Sequence, residues 1–211
     1  EICGTVLSPQ VVLSECNTTY FGVRFLPGYN PVLGSADIMA HLVNHRIPLD
    51  DLIQDRRMLE GIWGASDFRQ QIRVFMRSYM NIYRRVCPQE HQNLLVLHSS
   101  NLMIRSGGGI SVEQLAEDTG YTPRYIDKCF RNETGLSPKQ LAKIVRFQTA
   151  VSALNQNQHT GRSLTEIAAD LGYFDQSHFV HDFKTYTGLT PKKYQMLLRN
   201  DAFDEKLRIV Q

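Results

Sequence analysis

Thr134-Gly135-Leu136-Ser137-Pro138-Lys139 returns 53 residues later as Thr187-Gly188-Leu189-Thr190-Pro191-Lys192. The agreement continues upstream. Phe130 matches Phe183 at the same spacing, whereas Gly120-Tyr121 matches Gly172-Tyr173 at a spacing of 52, so the second copy carries one inserted residue between those points. Each copy opens on a capping-box pattern, Ser111-Val112-Glu113-Gln114 and Ser163-Leu164-Thr165-Glu166. In such a box a hydroxyl and a Gln or Glu satisfy each other's free backbone N–H groups at a helix start. Two segments of about 30 residues do not agree this way by chance, and an internal repeat of this kind governs the fold.

Each copy follows one physical plan. A short amphipathic helix turns Leu115 and Ala116, or Ile167 and Ala168, inward. Gly120 or Gly172 ends it in the left-handed conformation that suits a C′ glycine. Thr122 before Pro123 is the expected N-cap of the next helix in the first copy, and Asp175 in the second. Ile126 and Phe130, or Phe179 and Phe183, then anchor that helix. Two helices joined by a tight glycine-containing turn form a helix-turn-helix, and a long helix from Pro138 to Leu154 is expected to join the two. Tyr121, Tyr173, Phe130, Phe183 and Cys129 are assigned to the core.

Outward from the repeat, residues 90–105 read as a helix with Leu94, Leu97, Leu102 and Ile104 apolar. Ser106-Gly107-Gly108-Gly109 breaks it, as a turn or hinge. Residues 67–86 read as a more regular helix, with Phe68, Ile72, Phe75, Tyr79, Ile82 and Val86 on one stripe. Arg69, Arg73, Arg77, Arg84 and Arg85 lie off it. Two readings stay open here: packing on the helix's own domain, or a seam that pairs with a second copy. Ser35 caps a short expected helix through Val43, and another begins at Leu49. Residues 1–34 read as strands and turns, with runs at Val11-Val12-Leu13 and Tyr20–Phe25 punctuated by Pro9, Pro27-Gly28 and Asn30-Pro31. That is too little for an independent sheet. Missing strand partners are expected upstream of Glu1, in a longer protein.

The chain of 211 residues accommodates one large domain or two small ones. No apolar run approaches the ~18 residues of a membrane span, and no secretory signal opens the chain. Cys3, Cys16, Cys87 and Cys129 form no CxxC pair, which reads as a reduced, cytoplasmic protein. Residues 1–104 hold nine arginines, no lysine and nine acids, whereas residues 105–199 hold twelve Lys/Arg against nine acids. The second part is thus modestly basic. No Gly-rich phosphate loop or Ser/His/Asp pattern occurs. A cupin-type metal enzyme is the alternative from another class, but residues 1–34 contain no histidine. His41 and His45 stand four apart on an expected helix, and so do Cys87 and His91 with Pro88 between them. A redox- or alkylation-responsive DNA-binding protein is a further alternative, through Cys3 or Cys16, although the cysteines are dispersed. Neither a metal nor a cofactor is expected.

Residues 95–198 resemble the double helix-turn-helix DNA-binding domain of AraC/XylS-type transcription regulators. The resemblance rests on Gly172-Tyr173-Phe174-Asp175-Gln176-Ser177-His178-Phe179, Phe183-Lys184, Thr187-Gly188-Leu189-Thr190-Pro191 with Tyr194, and Arg146-Phe147-Gln148-Thr149-Ala150 through Leu154. A shorter match, Phe21–Gly28 followed by Ile47–Leu52, resembles the end of the cupin-like sensor domain of some members. The resemblance implies a mainly α fold, a seven-helix double helix-turn-helix domain preceded by a partial β segment and a helical connector. Residues 1–66 would be the sensor remnant and 67–89 the connector or dimerisation helix. Residues 90–200 would be the DNA-binding domain, with motifs at 111–134 and 163–187, and 201–211 a tail. The implied function is sequence-specific transcription regulation under a small-molecule effector. Double-stranded DNA, RNA polymerase and a second copy of the chain are the implied partners.

In that family the second helix of each motif enters the major groove, one turn (~34 Å) apart on one face of the duplex. Arg124, Asp127 and Lys128 share a face away from Ile126 and Phe130, and are expected at base edges. Gln176, Ser177 and His181 are their counterparts. Arg131, Asn132, Ser137, His178, Lys184 and Thr190 are expected at phosphates. Phe25, Tyr29 and Trp63 are candidates for an effector pocket, with aromatic core as the alternative.

Overall fold

A computed structural model describes residues 1–9, 20–27, 36–49, 56–86 and 94–199. Val11-Val12-Leu13, Tyr29, Ser35, Cys87, His91, residues 50–53 and the 201–211 tail lie outside the described residues. The helices are α1 (Ala36–Leu42), α2 (Arg56–Trp63), α3 (Phe68–Val86), α4 (Leu94–Arg105), α5 (Val112–Thr119), α6 (Pro123–Thr134), α7 (Pro138–Thr160), α8 (Leu164–Asp170), α9 (Gln176–Thr187) and α10 (Pro191–Arg199). Seven of them lie between Leu94 and Arg199. Strand structure among the described residues is one antiparallel pair, β1 (Ile2–Cys3) and β2 (Arg46–Ile47), with Ile2 opposite Ile47.

The chain divides into two compact units. One comprises Glu1–Thr5, Val12–Ser100 and Arg124–Ser137, and the other Val6–Val11, Asn101–Pro123 and Pro138–Gln211. In the first unit, α2 packs along α3, with Met58 and Ile62 buried. Asp67 Oδ1 accepts the Gln70 backbone N–H at 2.8 Å, and Gln70 Oε1 accepts the Ser66 N–H at 2.7 Å, which satisfies the start of α3.

Residues Tyr20–Phe25, expected as a strand, form none. Phe21 instead lies 5.9 Å from Phe68 and 6.1 Å from Phe75, and Phe25 lies 5.1 Å from Tyr79, measured between ring centroids. Aromatic residues favour any half-buried surface, and here a helix supplies it in place of a sheet. The α3 stripe is therefore divided. Phe75, Tyr79 and Ile82 are half-buried, while Phe68 and Ile72 stand 64% and 41% exposed. His41 and His45 do not share a helical face, because α1 ends at Leu42 and Asn44 adopts a left-handed φ of 62°. His45 lies beyond that turn, with Nδ1 2.8 Å from the Val43 carbonyl oxygen.

The second unit has a core of Ala150, Val151 and Leu154 from α7, Ile167 and Ala168 from α8, Phe179 and Phe183 from α9, Tyr173 between the last two helices, and Tyr194 from α10. Its rings stand edge to face or tilted: Tyr173–Phe179 at 5.2 Å, Phe179–Phe183 at 6.0 Å and Phe183–Tyr194 at 5.4 Å. Helix α7 runs to Thr160, beyond the expected end at Leu154. Polar residues Asn155, Gln156 and Asn157 gave no reason to continue it. The structure supplies one: buried Asn157 donates to the Arg162 carbonyl at 2.8 Å and accepts the Arg162 N–H at 2.6 Å. The helix end is thus held from the chain that follows it.

Candidate nucleic-acid interface

Both capping boxes form. The Gln114 N–H donates to Ser111 Oγ at 3.1 Å, and the Ser111 N–H donates to Gln114 Oε1 at 2.8 Å. In the second copy the Glu166 N–H donates to Ser163 Oγ at 3.2 Å, and the Ser163 N–H donates to Glu166 Oε2 at 2.7 Å. That backbone hydrogen bond, aided by the Ser163 hydroxyl, holds the Glu166 carboxyl below its ordinary range.

The two turns differ. Helix α5 ends on a bond from the Gly120 N–H to the Ala116 carbonyl. Helix α8 ends with the Gly172 N–H on the Ala169 carbonyl and the Tyr173 N–H on the Ala168 carbonyl, each at 3.0 Å, a Schellman motif. That second bond draws Tyr173 back over its own helix and buries its ring. Tyr121, expected in the core like Tyr173, is 49% exposed. The second turn also holds the inserted residue. Asp175 then caps α9 by accepting the His178 N–H at 2.7 Å.

The exits of α6 and α9 match atom for atom. Thr134 Oγ1 donates to the Phe130 carbonyl at 2.7 Å and accepts the Leu136 N–H at 3.2 Å. Thr187 Oγ1 donates to the Phe183 carbonyl at 2.9 Å and accepts the Leu189 N–H at 3.0 Å.

In α6, Ile126, Cys129 and Phe130 are buried, while Arg124, Lys128, Arg131 and Asn132 are exposed. Asp127 is half-buried and already engaged, with its Oδ2 2.7 Å from Arg131 Nε. A base-facing role for Asp127 therefore competes with this pair, which at the surface contributes about 0–1 kcal/mol. In α9, Phe179 and Phe183 are buried, and Gln176, Ser177, His178, His181 and Lys184 are exposed. Gln176 Oε1 accepts the Thr165 hydroxyl at 2.8 Å, which ties the start of α9 to α8. His178 stands edge-on to Tyr173 at 5.2 Å, with Nε2 3.8 Å from Asp182 Oδ2. Ser137 and Thr190, the residues before α7 and α10, are half-buried. Thr190 Oγ1 accepts the Lys193 N–H at 3.3 Å and so acts as a cap. Of the aromatic trio, Phe25 is half-buried against Phe75 and Tyr79, and Trp63 is 69% exposed.

Arg146, which carries part of the resemblance in sequence but no assigned role there, has one in the fold. Its Nη2 donates to the Gly108 carbonyl at 2.9 Å, and its guanidinium carbon stands 5.5 Å from the centroid of Tyr173. One side chain of α7 thus reaches both the turn after α4 and the turn before α9. The signal was an arginine set among Ile144, Val145 and Phe147, a place where a charge needs partners. Burial, with the Asp182 charge adding to it and Arg146 opposing, pushes the Tyr173 phenol up to about 12. The described residues contain no group of three metal-ligating side chains and no helix long and apolar enough to cross a membrane.

A helix-turn-helix domain family matches residues 88–196. The HTH-type transcriptional activator AarP of Providencia stuartii is 27% identical over 103 residues, which are 49% of this chain and 71% of AarP. An uncharacterized HTH-type transcriptional regulator of Haemophilus influenzae is 34% identical over 84 residues, 40% of this chain and 27% of that protein. The multiple antibiotic resistance protein MarA of Escherichia coli is 25% identical over 87 residues, 41% of this chain and 66% of MarA.

Proposed function

The chain belongs to the AraC/XylS-type helix-turn-helix family, a family of DNA-binding regulators rather than enzymes, and from that premise we propose that it regulates transcription by reading two major-groove segments with α6 and α9. The observation that carries this reading is the repeated division of these helices. Each buries an apolar face, Ile126 and Phe130 or Phe179 and Phe183, and exposes polar side chains over its first two turns. Arg124, Lys128 and Asp127 face base edges from α6, and Gln176, Ser177 and His181 from α9. Arg131, Asn132, Ser137, His178, Lys184 and Thr190 meet phosphates. RNA polymerase is the partner that regulation at a promoter calls for.

Effector control belongs to the proposal through the sequence resemblance of residues 1–66. Trp63, the single tryptophan, is a built-in reporter for it, because an effector bound near this ring changes its fluorescence. Pairing of α3 with a second copy is supported by the exposure of Phe68 and Ile72. Such a pair brings five arginines of each α3 together with no acid on that helix. Its self-association therefore strengthens with added salt, as screening relieves the repulsion.

The test of DNA reading compares a site selected from a random oligonucleotide pool with random DNA. Arg124→Ala and Gln176→Ala each relax base preference by about 1–3 kcal/mol. Lys184→Ala weakens all sequences about equally. If the three variants lose the same affinity on selected and random DNA, the groove assignments are wrong.

A further inference from the structure

Phe174 is 93% exposed, more than any other large apolar side chain among the described residues. It is also the residue that lengthens the second turn. Between Gly120 and Pro123 stand Tyr121 and Thr122, whereas between Gly172 and Gln176 stand Tyr173, Phe174 and Asp175. With the tyrosines matched and Asp175 serving as the cap, Phe174 has no counterpart in the first copy. Nothing in the second unit's core uses its ring. In sequence it precedes the cap Asp175 and the exposed residues Gln176 and Ser177, where α9 begins.

Gln176 narrows the chemistry that this rim accepts. Its side-chain oxygen accepts the Thr165 hydroxyl, at 2.8 Å. Its two carboxamide N–H donors remain open to a base. Adenine offers a donor beside its acceptor, and no methyl group. Guanine offers acceptors without a methyl group. Thymine offers the O4 acceptor beside a C5 methyl, an apolar group that an exposed phenyl ring covers. We infer that the second motif reads a thymine, with Gln176 donating to O4 and Phe174 packed on the methyl. This rests on α9 being a recognition helix, and it adds base identity to that reading.

The full chain is used to select its site from a random pool. Each thymine of the selected site is then replaced in turn by deoxyuridine, which removes the methyl alone. Binding is followed by fluorescence anisotropy. At one position the wild-type protein loses about fourfold in affinity on deoxyuridine, the size of one methyl withdrawn from water. Phe174→Ala binds thymine and deoxyuridine equally there, and Phe174→Leu restores part of the preference. Circular dichroism shows both variants folded, as the exposed ring requires. The inference is overturned if no thymine is sensitive in the wild type, or if the sensitivity persists in Phe174→Ala, while the selected site itself upholds DNA reading. Failure to enrich any site overturns the proposed function and this inference with it.

Discussion

Gly107 and Gly108 both adopt left-handed backbone, at φ of 60° and 81°, yet alanine should cost markedly more at Gly108 than at Gly107. The backbone conformation alone penalises an L-residue by roughly 1–2 kcal/mol at either position. At Gly107 an added Cβ would meet only the Thr149 side chain, at 3.4 Å. That is ordinary contact, so Gly107→Ala should cost about 1–2 kcal/mol. At Gly108 the same atom would lie 2.3 Å from the Ala142 carbonyl oxygen and 2.6 Å from the Arg146 nitrogen. Both belong to the backbone of α7, which cannot yield without losing its own hydrogen bonds. The Gly108 turn must instead lift from α7, and the Arg146 bond to the Gly108 carbonyl goes with it. A charge-assisted bond of this kind contributes about 1.5–3 kcal/mol, which brings Gly108→Ala to roughly 2.5–5 kcal/mol. Urea unfolding followed by far-ultraviolet circular dichroism measures both variants, with midpoints compared at unchanged slope. If Gly108→Ala falls within about 0.5 kcal/mol of Gly107→Ala, the close approach of the Gly108 turn to α7 is not as described and the role given to Arg146 fails with it.

The two capping boxes should respond differently to acid. The Glu166 carboxyl titrates below its ordinary 4.5 in the folded state, so its contribution is present above that value and is lost as pH falls through the lower folded one. The Gln114 box does not titrate, and Glu166→Gln should flatten the acid limb of the stability–pH curve; an unchanged limb would place the acid sensitivity elsewhere. Asn157→Ala removes two part-buried hydrogen bonds at the end of α7 and should cost about 1–3 kcal/mol in urea, whereas a loss under about 0.5 kcal/mol would show that the helix end is held by other groups. Tyr173 should remain protonated to about pH 12, against about 10 for an open tyrosine, read by difference absorbance against a Tyr173→Phe variant. A transition for this ring near 10 would mean that it is not buried beside Asp182.

The repeat was legible because its determinants are local. A capping box needs four consecutive residues, and a left-handed C′ position needs only a glycine. Ser111, Ser163 and Asp175 accordingly cap the helices expected of them, and Pro138 opens α7. Burial of Ile126, Phe130, Phe179 and Phe183 follows from helical spacing alone. Where expectation failed, the deciding partner lay elsewhere in the chain. Tyr20–Phe25 has the composition of a strand, but the surface it meets is α3. The extension of α7 depends on a bond from Asn157 across its own end.

The order of helices, the two turns and the polar side of each second helix were therefore set by neighbours in sequence, whose geometry holds in any tertiary setting. Tertiary contact alone decided that Thr165 bonds the oxygen of Gln176, and that Arg146 joins the turn after α4 to the turn before α9. A polar side chain's partner depends on which groups come within about 3 Å of it, and only the folded chain brings those groups together.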